Sequence, residues 1–181
     1  MNSRIPVLCI LSAGLGLLSS CNLPAPQEDT TRYFTLSGPA TGPAAPDGAA
    51  VRPVRLAGHL RNREMAVRVS DHEVVYLDEV RWAEPLDDAI TQILRQRLRQ
   101  VAGDVVISVQ VQRCELVRNA DNAVQVAATY SIVPVGGDAR TGVFSSTPRK
   151  WDGKDYGALV GLLREGVEEL AETVAQAAVK K

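Results

Sequence analysis

Residues 105–135 read VVISVQVQRCELVRNADNAVQVAATYSIVPV. In the first half Val105, Ile107, Val109 and Val111 are apolar, with Ser108, Gln110 and Gln112 between them. In the second half Val124, Val126, Ala128, Tyr130 and Ile132 repeat the alternation. A period of two over both runs is the pattern of half-buried strands, and the polar stretch Asn119-Ala120-Asp121-Asn122 makes them a hairpin. One apolar side and one polar side imply an antiparallel sheet with one wet face. The phase slips near Arg113, where Cys114 and Leu116 take the apolar parity, so a bulge is expected there.

Working outward, Gly136-Gly137-Asp138 makes a second turn and residues 141–146 return as another strand. Upstream, residues 65–69 and 74–77 are two short strands around a polar turn, and residues 51–56, with Pro53, suit a sheet edge. Residues 32–37 (RYFTLS) have strand composition, and residues 38–50 are a Gly/Pro/Ala-rich loop. Residues 84–102 carry Leu86, Ile90, Ile93, Leu94, Leu98 and Val101 at helical spacing, with Pro85 in the first turn and Gly103 as a stop. Residues 156–178 form a second helix with the stripe Leu159, Leu163, Val167, Leu170 and Val174 and with Asp155 as its cap. Gly157, Gly161 and Gly166 weaken that helix unless a neighbour approaches closely. The expected fold is α+β in two layers: a mostly antiparallel sheet of about six strands with both amphipathic helices on one face.

The chain has 181 residues, room for one domain with a real core. Its net charge is −1 and only 4% of its residues are aromatic. There is no excess of positive charge to neutralise phosphates and no supply of stacking side chains, so a nucleic-acid partner is not expected.

The first twenty residues look like an address. Arg4 precedes the uncharged run IPVLCILSAGLGLL, which ends in Leu18-Ser19-Ser20-Cys21. A basic start, a short apolar middle and small residues before a cysteine resemble a lipoprotein signal, in which Cys21 becomes an acylated N-terminus. The expected organisation is a signal peptide over 1–20, a lipidated tether over 21–31 and one domain over 32–179. Asn22 stands where an inner-membrane retention aspartate would be, which favours the outer membrane. Roughly ten flexible residues give the tether a reach of about 18 Å. Cys9 leaves with the signal and Cys21 carries lipid, so Cys114 has no disulfide partner and is read as a buried thiol.

No catalytic constellation is visible. His59 and His72 belong to no Cys/His ligand spacing and read as surface or turn residues; no metal and no cofactor are expected. There is no nucleophile elbow, and Pro148 stands where the first glycine of a phosphate loop would be. Asp71, Glu73, Asp78 and Glu79 read as a solvated acidic stretch rather than an acid/base pair. The protein is not expected to be an enzyme.

One segment stands apart: Arg81-Trp82-Ala83-Glu84-Pro85-Leu86, just before the first helix. An indole there can be a lid on the core or an exposed anchor for a partner. This run resembles the paraquat-inducible protein C family, the ABC-type transport auxiliary lipoproteins. Cys21 in its lipobox, Tyr33-Phe34-Thr35-Leu36, Leu60 followed by Arg68, Ala128-Thr129-Tyr130 and Tyr156 with its helix also fit. Arg63, Tyr130 and the long loop at 38–50 depart from the usual pattern. The resemblance implies a periplasm-facing outer-membrane lipoprotein that works with an inner-membrane transport system built on mammalian-cell-entry (MCE) domains. It further implies a phospholipid-like cargo, a membrane partner through the lipid anchor, and ring-like homo-oligomers. Arg81, Trp82, Glu84 and Pro85 are then the candidate partner-binding residues. A stand-alone lipid carrier and an assembly or pilot lipoprotein are the alternatives.

Overall fold

The structure is a computed structural model that describes residues 28–39, 49–101, 104–118 and 121–179. The chain divides between Thr30 and Thr31, and the unit Thr31–Lys181 holds all the strands and helices of the described residues. Residues 28–30 have no regular secondary structure. The signal peptide, Cys21, residues 22–27 of the tether, residues 40–48 of the loop, Gly103 and the Asn119-Ala120 half of the turn lie outside the described residues.

The hairpin forms as its alternation requires. Strand β6 (Val105–Val117) pairs antiparallel with β7 (Ala123–Pro134), and Asn122 turns the chain with φ 46°, a left-handed conformation that asparagine tolerates well. The register slips between Val111 and Arg113, which leaves Gln112 as the bulged residue. That extra residue returns Cys114 and Leu116 to the side of Ile107, Val109 and Val111, all buried. Strand β8 (Arg140–Ser145) adds antiparallel to the far side of β7.

The rest of the sheet differs from expectation. It has nine strands among the described residues and is mixed. The other strands are β1 (Arg32–Phe34), β2 (Ala50–Val51), β3 (Arg55–Leu56), β4 (Glu64–Arg68), β5 (Val74–Trp82) and β9 (Arg149–Lys150). The main path runs β1-β5-β4-β6-β7-β8. β1 lies parallel to β5, and β2, β3 and β4 lie parallel to β6. Antiparallel pairing holds only for β4 with β5 and along β6-β7-β8 with β9. Strands of two or three residues carry no readable period, and parallel neighbours are chosen by crossovers rather than by local alternation. β5 also runs on to Trp82, past the four residues its alternation suggested. The irregularity between Glu64 and Met65, which face Arg81 and Leu77, leaves Asp78 and Glu79 exposed in mid-strand.

Helix α1 (Leu86–Arg97) has Pro85 as N-cap, Asp87 and Asp88 in its first turn and Arg95 and Arg97 in its last, matching the helix dipole. It ends five residues short of expectation and tightens into a 3-10 turn over Leu98–Gln100, closed by Val101 N donating to Leu98 O. Helix α2 (Tyr156–Val179) starts where Gly157 N donates to Asp155 Oδ1 at 2.8 Å, so Asp155 caps it. The two helices pack against each other, and α2 crosses β7. The apolar stripes of both helices are buried with the inward residues of β6 and β7 in one core.

Gly166 is the close approach that the helix glycines suggested. A Cβ there would stand 2.7 Å from Val126 Cγ2 on β7, whereas one on Gly161 would meet nothing within 4 Å. Gly166→Ala should therefore destabilise by about 1–3 kcal/mol through overpacking. Gly161→Ala should stabilise by up to about 1 kcal/mol through helix propensity alone. Urea unfolding of the two variants side by side tests this; equal effects would mean that α2 can lift off β7 at no cost.

Candidate functional site

The corner that holds residues 81–86 is built by the end of β5. Backbone donors of consecutive residues go to different segments: Trp82 N donates to Arg63 O at 2.7 Å and Ala83 N donates to Phe34 O at 2.8 Å. Trp82 thus lies between β1, where it faces Phe34 in register, and the loop before β4. Its side chain is 3% exposed and belongs to the core.

The neighbouring side chains turn other ways. Arg81 is 38% exposed and ion-paired with Glu64 at 3.5 Å, while its buried Nε makes no hydrogen bond. Glu84 turns inward. Its Oε1 accepts from Ser37 N at 3.0 Å, and both carboxylate oxygens lie 2.8 Å from the Ser37 hydroxyl, which donates to them. Arg164 of α2 donates to Ser37 O at 2.8 Å from the other side. Pro85 is exposed and, with Leu56, Leu60, Arg63, Trp82 and Glu84, lines an open cleft of about 520 Å³. All four predicted partner-binding residues therefore meet at one corner, but Trp82 and Glu84 hold the fold there while Pro85 is presented to solvent.

The clamp extends into the helices. Arg164 and Arg97 both reach Glu168, at 3.2 and 2.7 Å, so α1, α2 and the Ser37 segment share one charged network. Partial burial pushes the Glu168 carboxyl up, but hydrogen bonds and charge from Arg97 and Arg164 outweigh it and hold it below the usual carboxylate range. A carboxyl whose folded value lies below its unfolded value contributes stability at pH above the unfolded range and loses it as pH falls through the folded value. Thermal stability should therefore drop as pH is lowered from about 5 to about 3. Glu168→Gln should flatten part of that drop, measured by melting temperature against pH.

Sequence reasoning missed a second polar centre. Glu115 on β6 is fully buried and receives Arg68 of β4 through Nε at 2.5 Å and Nη2 at 3.4 Å. His59 Nε2 lies 3.1 Å from Glu115 Oε2, and Arg113 Nε lies 4.0 Å from Oε1. His59 sits in the 3-10 turn Gly58–Arg61, which Tyr76 also holds by donating its hydroxyl to His59 O. The available signal was a glutamate inside the apolar run Cys114-Glu115-Leu116, with an arginine on another strand to meet it. Cys114 is buried as expected, and burial followed by the Glu115 charge pushes its thiol up to about 12. Asp71, Glu73, Asp78 and Glu79 are exposed. Among the described residues there is no group of three or more potential metal ligands, and no helix is long and apolar enough to cross a membrane.

A crystal structure of an uncharacterized protein superposes with a TM-score of 0.65 at 19% identity, over 81% of this chain and 97% of that one. Protein XCC0632 from Xanthomonas campestris, of the DUF330 family, superposes with a TM-score of 0.62 at 16% identity, over 76% and 89%. No curated protein shows significant similarity to the sequence. The class defined by this fold is thus an α+β domain with a mixed sheet backed by two helices, shared with both of these structures. Residues 34–175 match the model of the ABC-type transport auxiliary lipoprotein component, and the chain belongs to that family. Membership makes it a lipoprotein component auxiliary to transport in the bacterial envelope.

Proposed function

We propose that this protein is the outer-membrane lipoprotein of an MCE-type transport system. It is anchored by acylated Cys21 and receives the periplasmic end of the conduit through which phospholipid or a similar amphiphile passes. The role is that of a docking subunit rather than an enzyme, with no cofactor, and homo-oligomeric association would suit a symmetric conduit.

The observation that supports the reading is how the chain leaving the tether is held. Residues 32–37 follow the tether directly, and Glu84, Arg164 and the backbone of Ala83 grip Phe34 and Ser37 from three sides. A pull along the tether is borne by hydrogen bonds to charged groups, which are stronger than neutral ones. A subunit that holds a conduit against a membrane needs such a grip. Pro85 and the cleft beside it, bordered by Arg61, Arg63 and Glu84, then offer the partner an exposed proline within a polar rim next to this point.

The experiment is purification of the acylated protein in mild detergent, followed by mass spectrometry of what accompanies it. A stoichiometric MCE-domain protein is the expected result. Lipid on the protein with no protein partner would replace this reading with that of a carrier.

A further inference from the structure

The sheet face turned away from the helices is not a plain solvated surface. Ser108 and Gln110 of β6 stand opposite Ser131 and Thr129 of β7. Those in turn stand opposite Thr141 and Val143 of β8. Arg55 of β3 lies beside Gln110, and Arg52 follows β2 on the same side. Together they line an open trough of about 820 Å³ whose side chains offer hydroxyls, an amide and two guanidinium groups, with no Asp or Glu among them. Both arginines are exposed, and neither has a carboxylate partner among the described residues.

The apolar and acidic residues around the trough indicate what this face meets. Val133, Val135 and Val143 are exposed by 38%, 75% and 82%. Val143 forms the rim of the trough, and Val133 continues the outward row of Thr129 and Ser131 along β7. The exposed acids Asp71, Glu73, Asp78 and Glu79 lie on β5 and the turn before it, beyond β4 as seen from β6. The trough itself thus carries two arginines and no carboxylate, while the exposed Asp104 and Asp138 stand at the far end of the face, beside Val135. Guanidinium groups, hydroxyl donors and exposed aliphatic side chains on one face match the headgroup layer of an anionic bilayer. There, phosphodiesters accept from the donors and methyl groups enter the boundary with the acyl chains.

We propose that the outward face of β3, β6, β7 and β8 docks on an anionic phospholipid surface. Arg52 and Arg55 engage headgroup phosphates, and Val143 sits at the interface. This goes beyond the docking reading, which concerns a protein partner at the Trp82 corner.

The test uses the full acylated protein carrying Val143→Cys, labelled with an environment-sensitive fluorophore. Cys114 is buried and its thiol is held protonated, so it does not compete for the label. The protein is reconstituted into phosphatidylcholine vesicles with or without phosphatidylglycerol; the acyl anchor holds it to both. The expected result is a blue shift of the label only on the anionic vesicles. Arg52→Gln/Arg55→Gln should lower the ratio of docked to undocked label about thirtyfold. Raising salt to about 1 M, where the Debye length is about 3 Å, should do the same without a substitution. Equal signals on both vesicles, a signal indifferent to the arginines and to salt, or release by millimolar inorganic phosphate would each overturn the proposal; the last would mean a free-anion site. Co-purification of an MCE-domain protein is read separately, on the protein without these substitutions, because Arg55 also borders the cleft at the Trp82 corner.

Discussion

Arg68→Ala is expected to lower the unfolding free energy by about 3 kcal/mol, the low end of the range for removing one partner of a buried ion pair. Glu115 has no exposed surface, and Arg68 supplies its nearest charge through two nitrogens. Without it the carboxylate keeps His59 at 3.1 Å and Arg113 at 4.0 Å, which is why the low end applies. The change should appear as a lower urea midpoint with an unchanged slope. Arg68→Lys should recover only part of the loss, because an ammonium keeps the charge but not the planar fork. Arg68→Met combined with Glu115→Leu should be markedly more stable than Arg68→Ala, since an apolar pair of similar volume leaves no charge buried. A loss below about 1 kcal/mol for Arg68→Ala would show that His59 and Arg113 suffice to neutralise Glu115.

That centre marks the limit of what the sequence made legible. The hairpin, its bulge and both helices could be read because each rests on a period that local chemistry imposes over many residues. The bulge at Gln112 was visible as a phase slip between Val111 and Cys114, and Asp155 as a cap was visible from its place before an apolar stripe. Strands β1, β2 and β3 were legible only as β-rich composition, since Arg32–Phe34 or Ala50–Val51 is too short to show a period and its parallel partner is set by tertiary packing. Glu115 was hidden for a related reason. A carboxylate in a strand is ordinarily an outward residue, and only the placement of β4 and of the 3-10 turn beside β6 covers it. The segment 81–86 stood out in the sequence, which could not show that Trp82 is buried and Pro85, so near it in the chain, is exposed. Adjacent strand residues alternate sides, and β5 was expected to end before Trp82.

Trp82→Ala is expected to cost about 3–5 kcal/mol, the range for emptying a buried aromatic site. For a domain of this size that lowers the melting temperature by roughly 10 °C. The indole is 3% exposed between β1 and the loop before β4, and the loss of its volume leaves a cavity that the cleft beside it can only partly collapse. The same cavity loosens the packing under Phe34, its partner in register, and so weakens the hold on the strand that follows the tether. Pro85→Ala is the contrasting change. Pro85 is exposed at the start of α1, so its replacement should leave stability within about 0.5 kcal/mol of the parent, as for most surface substitutions. If the corner receives a partner, Pro85→Ala weakens co-purification without lowering the melting temperature, while Trp82→Ala lowers both together. If Trp82→Ala melts early yet still recovers its partner in full at a temperature where it is folded, the indole serves the core alone and the partner docks elsewhere.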